Sequence, residues 1–199
     1  MGRALIYIML AIATAPIFGV PAQIIVIRHA EKPNDRKDQH LSEAGRARAQ
    51  RFVHFLKANT VLTQFGLPVV LFATHQTKGG GGQRPAETLE PLAHDLMLPI
   101  ETPYQSNQPA KLAEMVLTSK PYDGKTVLIC WTHEYIPQLM ESLGVNPPPK
   151  KLPDDVYDCI YVIRFDSAHV TLQSISQDIQ SNVEPEKAKC IQQSNILKK

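Results

Sequence analysis

Four consecutive β-branched residues, Ile24-Ile25-Val26-Ile27, predict a short strand buried on both faces, as in a parallel or mixed sheet covered by helices. Two further apolar runs, residues 67–73 and 126–131, predict strands of the same kind. Between them the apolar period lengthens to that of helices. Ser42 is placed to cap a helix running to about Lys57, with Ala44, Ala47, Phe52, Phe55 and Leu56 as its apolar face. Leu89, Leu92, Ala93 and Leu96 recur at i, i+3, i+4 and i+7, predicting a helix over 85–97 with Pro85 at its first position. A third helix is expected over 109–119, burying Leu112, Ala113, Val116 and Leu117. A fourth uses Ile136, Leu139, Met140 and Leu143 and stops at Gly144. Residues 157–165 and 169–175, joined by a turn at 166–168, read as an antiparallel hairpin. Residues 99–108 and 145–155 read as loops and 121–124 as a turn. The expected fold class is α/β: a three-layer sandwich whose mostly parallel central sheet has an antiparallel edge hairpin.

The 199 residues, 43% hydrophobic and 20% charged, suit one globular domain, assigned to residues 23–176. A formal net charge of +2, without blocks of like charge, gives no reason to expect a nucleic-acid partner. Residues 1–22 are separate in character. Arg3 precedes an uncharged apolar run over residues 4–20, and Val20-Pro21-Ala22 resembles a cleavage site before Gln23. The expectation is a signal peptide and a periplasmic or secreted protein. The alternative is an uncleaved membrane anchor over residues 4–20, the one case in which a membrane is a partner. Residues 177–199 are expected to form a polar tail. Cys130 reads as a small buried hydrophobe, whereas Cys159 and Cys190 could pair in an oxidising compartment. No metal-ligand spacing is present, and no cofactor is expected.

Chemistry collects where the strands stop. The first strand runs into Arg28-His29, and ligands of open α/β sheets bind just beyond the carboxyl ends of strands. A guanidinium beside an imidazole there points to an anion site with a nucleophile or base; the plain alternative is a polar loop. Arg84 stands at the start of the second helix, where backbone N–H groups and the helix dipole also favour an anion. The third strand ends in Thr132-His133-Glu134, and the second in Thr74-His75. Four glycines, Gly79 to Gly82, precede Arg84; they fit neither phosphate-cradle spacing of nucleotide sites and read as a surface loop. Arg46, Arg48 and Arg51 are given no role. His40, His54, His94 and His169 lack obvious partners and read as structural or surface groups.

The ordered set Arg28-His29-Ala30-Glu31, Arg84-Pro85-Ala86-Glu87-Thr88 and His133-Glu134 resembles the histidine phosphatase superfamily, which has the phosphoglycerate-mutase-like fold. Leu41-Ser42-Glu43-Ala44-Gly45 with Ala49 resembles that family's segment after the first motif. The resemblance covers roughly residues 24–165. It implies a metal-independent phosphomonoester hydrolase in which His29 becomes phosphorylated while Arg28, Arg84 and His133 bind the phosphoryl oxygens. Glu134 then resembles the family's general acid, with Glu in place of the Asp of the acid-phosphatase branch. Glu31 is the alternative acid, and His75 a possible pocket residue. In the mutase branch the acid lies after the second arginine motif; here Glu101 and Glu114 fall in that region without a matching context. The implied partner is a small phosphorylated substrate or a phosphopeptide. A phosphomutase and a catalytically silent phosphate- or phosphopeptide-binding module are the rival readings.

Overall fold

A computed structural model of the chain describes residues 19–35, 37–77, 82–166 and 169–177. The chain runs β1 (Gln23–Arg28), α1 (Glu43–Ala58), β2 (Pro68–Phe72), α2 (Gln83–Leu96), β3 (Ile100–Glu101), α3 (Pro109–Thr118), β4 (Thr126–Trp131), α4 (Ile136–Ser142), β5 (Cys159–Phe165) and β6 (Val170–Ser176). A single 3-10 turn, Lys120–Tyr122, replaces the expected turn ahead of β4. The strands form one sheet in the order β3-β2-β4-β1-β5-β6. β1, β2, β3 and β4 pair in parallel, while β5 joins β1 and β6 joins β5 antiparallel. The expected mostly parallel sheet with an antiparallel edge hairpin is the sheet observed.

β1 lies in the middle of this sheet, and all six of its residues are buried. Side chains alternate across a strand, so Ile24 and Val26 join the core beneath α3 and α4, and Ile25 and Ile27 join the core beneath α1 and α2. Both faces are therefore dry, which explains a run with no polar residue in it. Parallel pairing of β1 with β4 continues through Arg28 opposite Trp131 and the His29 N–H on the Trp131 carbonyl at 3.2 Å. The ends of β1 and β4 thus deliver His29 and His133 to the same edge of the sheet.

Several local expectations need correction. Residues 99–108 are not all loop, because Ile100 and Glu101 pair with Leu71 and Phe72 as the short strand β3. Two residues of strand leave no periodicity to read. In α1, Ala44 and Ala47 face solvent; Gly45, Ala49, Phe52, Val53 and Leu56 form the buried face. Gly45 is the reason for the rotation: a Cβ there would stand 2.4 Å from the Glu31 carbonyl, so the helix lies directly on the chain leaving β1. Ser42 caps α1 as expected, its Oγ accepting from the Gly45 N–H at 3.0 Å. The helix α2 begins two residues early, which puts Arg84 in its first turn rather than before it. It also runs through Pro91, whose missing N–H removes one helix bond; burial of Leu89 and Leu92 on the same segment keeps the helix intact.

Cys130 is a free thiol buried in β4, and burial pushes its pKa up. Cys159 is disulfide-bonded, with its partner outside the described residues. Most of the expected leader over 1–22, the polar tail and Gly79 to Gly81 also lie outside them. Among the described residues no helix is long and apolar enough to cross a membrane.

Candidate active site

His29 follows the last residue of β1 and is 5% exposed. Its Nδ1 lies 2.7 Å from the Ala30 carbonyl oxygen. A carbonyl can only accept, so Nδ1 carries the proton and Nε2 keeps its lone pair. Burial, opposed by the Ala30 bond and reinforced by the charges of Arg28, Arg84 and His133, holds the His29 pKa down at about 3. His29 is thus a neutral imidazole with one basic nitrogen available, the protonation state a nucleophile requires.

The loop leaving β1 is fixed from two sides. The Ala30 N–H donates to Thr88 Oγ1 at 2.9 Å, and that hydroxyl donates to the Arg84 carbonyl at 2.7 Å. Thr88 therefore ties the chain beside His29 to the first turn of α2. On the other side, Ser42 donates both its N–H and its hydroxyl to the Glu31 carbonyl, at 2.9 and 3.1 Å. These contacts give physical reasons for the Ser and Gly of residues 41–45 and for the Thr four residues after Arg84.

Arg28 is 2% exposed. Its Nη1 donates to the carbonyls of Pro153 and Val156, both at 2.8 Å, and its guanidinium carbon lies 4.0 Å from the centre of the Tyr157 ring. Nε and Nη2 are buried and have no hydrogen-bond partner among the described residues. Two charged donors without acceptors are costly unless an anion meets them. Burial lowers the Arg28 pKa, opposed by Tyr157, Asp154 and Glu134.

Arg84 is held more openly. Its Nε donates to the His40 carbonyl at 3.1 Å and its Nη2 to the Asp38 carbonyl. Nearby Glu87 bonds the His40 ring and accepts the Leu41 N–H at 2.7 Å, so α2 pins residues 38–41.

His133, 7% exposed, follows β4 with its ring centre 6.4 Å from that of His29. Its Nε2 lies 2.8 Å from Asp154 Oδ1, and Asp154 Oδ2 lies 3.6 Å from Lys32 Nζ. Its Nδ1 is buried without a partner among the described residues. Burial and the Arg28 charge lower its pKa, opposed by Asp154 and Glu134. The His133 bond and the Lys32 charge in turn lower that of Asp154.

The structure thus groups Arg28, His29, Arg84 and His133. Glu134 is exposed beside His133, close enough for its charge to act on both His133 and Arg28. Glu31 borders the cleft but is ion-paired: one of its oxygens accepts from Arg48 Nε and Nη2, both at 2.8 Å. Arg48, given no role from sequence, therefore orients the alternative acid. His75 is exposed, with Nδ1 3.1 Å from the Thr102 carbonyl oxygen. Of the histidines read as partnerless, His40 has Glu87 and His169 has Asp166, while His54 and His94 are exposed.

Beyond the grouped residues a cleft of about 650 Å³ opens, bordered by Glu31, Lys32, Asn34, Arg84, Asp154 and Tyr157. An open hollow of about 730 Å³ at the other end of α2, around Ala93 to Leu98, lies about 20 Å from Arg84, a helix length away. Lys32, Asp154 and Tyr157 carry no local motif that marks them in the sequence. Two of them lie in or next to the loop read as 145–155, where the one available signal was the pair Asp154-Asp155 in an otherwise Pro- and Lys-rich stretch. Among the described residues no group of three or more His, Cys, Asp or Glu side chains is placed to hold a metal ion.

No family model matches the chain, and no curated protein matches it by sequence. Solved structures do resemble it. One is the phosphoserine phosphatase of Entamoeba histolytica in complex with 3-phosphoglyceric acid. It is 15% identical with a TM-score of 0.51, over 78% of this chain and 96% of that one. Another is a protein assigned as an alpha-ribazole-5'-P phosphatase from Escherichia coli. It is 12% identical with a TM-score of 0.50, over 82% of this chain and all of the other. Both have the fold of the histidine phosphatase superfamily. The sheet order, the two strand ends and these likenesses agree: this chain has the phosphoglycerate-mutase-like fold of the histidine phosphatases.

Proposed function

We propose that the protein hydrolyses phosphomonoesters through a phosphohistidine on His29, without a metal ion. The observation that carries this reading is the state of His29: buried, neutral, with Nδ1–H committed to the Ala30 carbonyl and Nε2 free, among three groups suited to an anion. In the proposed reaction Nε2 attacks phosphorus and the P–O bond to the leaving group breaks. Charge developing on the equatorial oxygens is met by Arg28, Arg84 and His133. Glu134 gives its proton to the departing alkoxide. Its carboxylate then takes a proton from water, whose oxygen attacks phosphorus and releases inorganic phosphate from His29. Glu134 is preferred over Glu31 because it is exposed beside His133, whereas Glu31 is engaged by Arg48.

Both structural neighbours are described as phosphatases, one of them bound to a small phosphorylated acid, which supports a small phosphomonoester as substrate. The free Nε2 favours an enzyme over a silent binding module, since binding alone requires only donors. Action outside the cytoplasm belongs to the same proposal, supported by the apolar residues 4–20 and the Cys159 disulfide. The test is steady-state release of inorganic phosphate from a panel of phosphomonoesters by the full chain and by His29→Ala. Turnover by the wild type that the variant lacks supports the proposal. Equal turnover by both removes His29 as nucleophile.

A further inference from the structure

The segment 153–157 does more than close the site. Its Pro153 and Val156 carbonyls and its Tyr157 ring hold Arg28, and its Asp154 holds His133. We propose that Asp154 is a positioning residue that fixes which nitrogen of His133 meets the phosphoryl group. This rests on the phosphatase reading and adds a residue to it.

Asp154 Oδ1, as a carboxylate oxygen, can only accept, so the His133 Nε2 at 2.8 Å carries a proton. That leaves Nδ1, buried and without a partner among the described residues, as the ring nitrogen reserved for the substrate. With Nε2–H fixed, Nδ1 can meet a phosphoryl oxygen in two ways. It accepts the proton of a monoprotonated phosphate, or it is itself protonated and donates to a dianion. In both, exactly one proton lies between Nδ1 and the phosphoryl oxygen, and no other atom changes partner. A negative carboxylate on the far side of the ring favours that proton by stabilising the imidazolium form. Lys32, three residues beyond His29, holds the second Asp154 oxygen at 3.6 Å and so links the carboxylate to the chain that bears the nucleophile.

The charges facing His133 act in opposing directions. Arg28 disfavours a proton on it, whereas Asp154 and Glu134 favour one. His29, which stays neutral, faces it at 6.4 Å. Asp154 is the one of these acids in hydrogen-bond contact with the ring, so its charge decides how far toward alkaline pH the shared proton persists.

Two measurements test this on the full chain. The first is ¹⁵N NMR of the histidine rings with and without inorganic phosphate. Free His133 is expected as the Nε2–H tautomer, and phosphate is expected to shift Nδ1 far more than Nε2. An Nδ1–H tautomer, or a shift confined to Nε2, overturns the proposal whether or not the protein is a phosphatase. The second is the pH profile of kcat/KM for Asp154→Asn, Asp154→Ala and Asp154→Glu. The Asn side chain retains an oxygen for Nε2–H but not the charge, and its alkaline limb is expected to move to lower pH by about one unit. Asp154→Glu should restore most of the wild-type profile and Asp154→Ala should not. An unchanged limb in Asp154→Asn, with wild-type turnover intact, overturns the positioning role and leaves the phosphatase reading standing. Absent turnover in the wild type, with the expected tautomer and phosphate shift, overturns the phosphatase reading instead.

Discussion

Arg28 and Arg84 both act on His29 electrostatically, yet the chain holds them in different ways. Arg28 is sealed between the end of β1 and residues 153–157, with two carbonyls and an aromatic ring fixing its plane. Arg84 is half exposed at the start of α2, where it bonds the carbonyls of a surface loop. The contrast separates two tasks. A buried, over-determined guanidinium keeps two donors in place before any anion arrives, so little reorganisation is needed when charge develops. An exposed one that shares its donors with residues 38–40 couples the phosphate site to the cleft mouth, where the remainder of a substrate would lie.

Substitutions separate the two arginines, beginning with the residue both serve. His29→Ala is expected to reduce turnover by at least about 10³-fold, because no other described group replaces the nucleophile. Its thermal unfolding should remain cooperative, which circular dichroism can verify. Arg28→Ala should come next, damaging activity and folding together. It strands the Pro153 and Val156 carbonyls and the face of Tyr157, at a cost of about 3 kcal/mol or more. Denaturant unfolding reads that loss. Glu134→Gln should slow alkyl phosphates about 100-fold while slowing p-nitrophenyl phosphate only slightly, since a good leaving group needs no proton. Equal slowing of both substrates would move the acid role to Glu31. Arg84→Ala should be the mildest of the four, raising KM about tenfold with little change in unfolding free energy. An Arg84 variant as destabilised as the Arg28 variant would erase the distinction between the two arginines.

The pH dependence of stability gives a finer test of the buried half of the site. His29 titrates at about 3 when folded, against an ordinary value of 6.5. Well above pH 6.5 neither the folded nor the unfolded form holds a proton on the second ring nitrogen of His29, and it adds no pH dependence. As pH falls from 6.5 toward 3, the unfolded chain takes up that proton and the folded chain does not, so the native state loses stability. Urea unfolding at pH 7 and pH 4.5 should show wild-type stability falling further than that of His29→Ala. An equal fall in both would mean that the imidazole is not held neutral.

The sequence made the frame legible where physics acts locally. β1 and β4 announce themselves because both faces are buried, and the Ser42 cap is visible because a hydroxyl at that position satisfies a helix-end donor. The parallel centre and antiparallel edge follow from helices between the early strands and a tight turn between the last two. What stayed hidden depends on contacts distant in sequence. The buried face of α1 leaves out Ala44 and Ala47 because it is set by the approach of Gly45 to Glu31. β3 exists only through its pairing with β2. Arg28, His29, Arg84 and His133 could be chosen because each stands at the end or start of an element. Asp154 and Tyr157 could not, since a loop's sequence does not state which strand end it folds over. His75, also at a strand end, engages the Thr102 carbonyl, a partner 27 residues away that its local sequence does not announce.

In the proposed reaction His29 carries the phosphoryl group. Rapid-quench trapping with a ³²P-labelled phosphomonoester on the full chain tests it most directly. Acid-labile, base-stable label is expected on His29, forming before inorganic phosphate appears and decaying at the rate of its release. Phosphate release with no label on His29 at any time would contradict it.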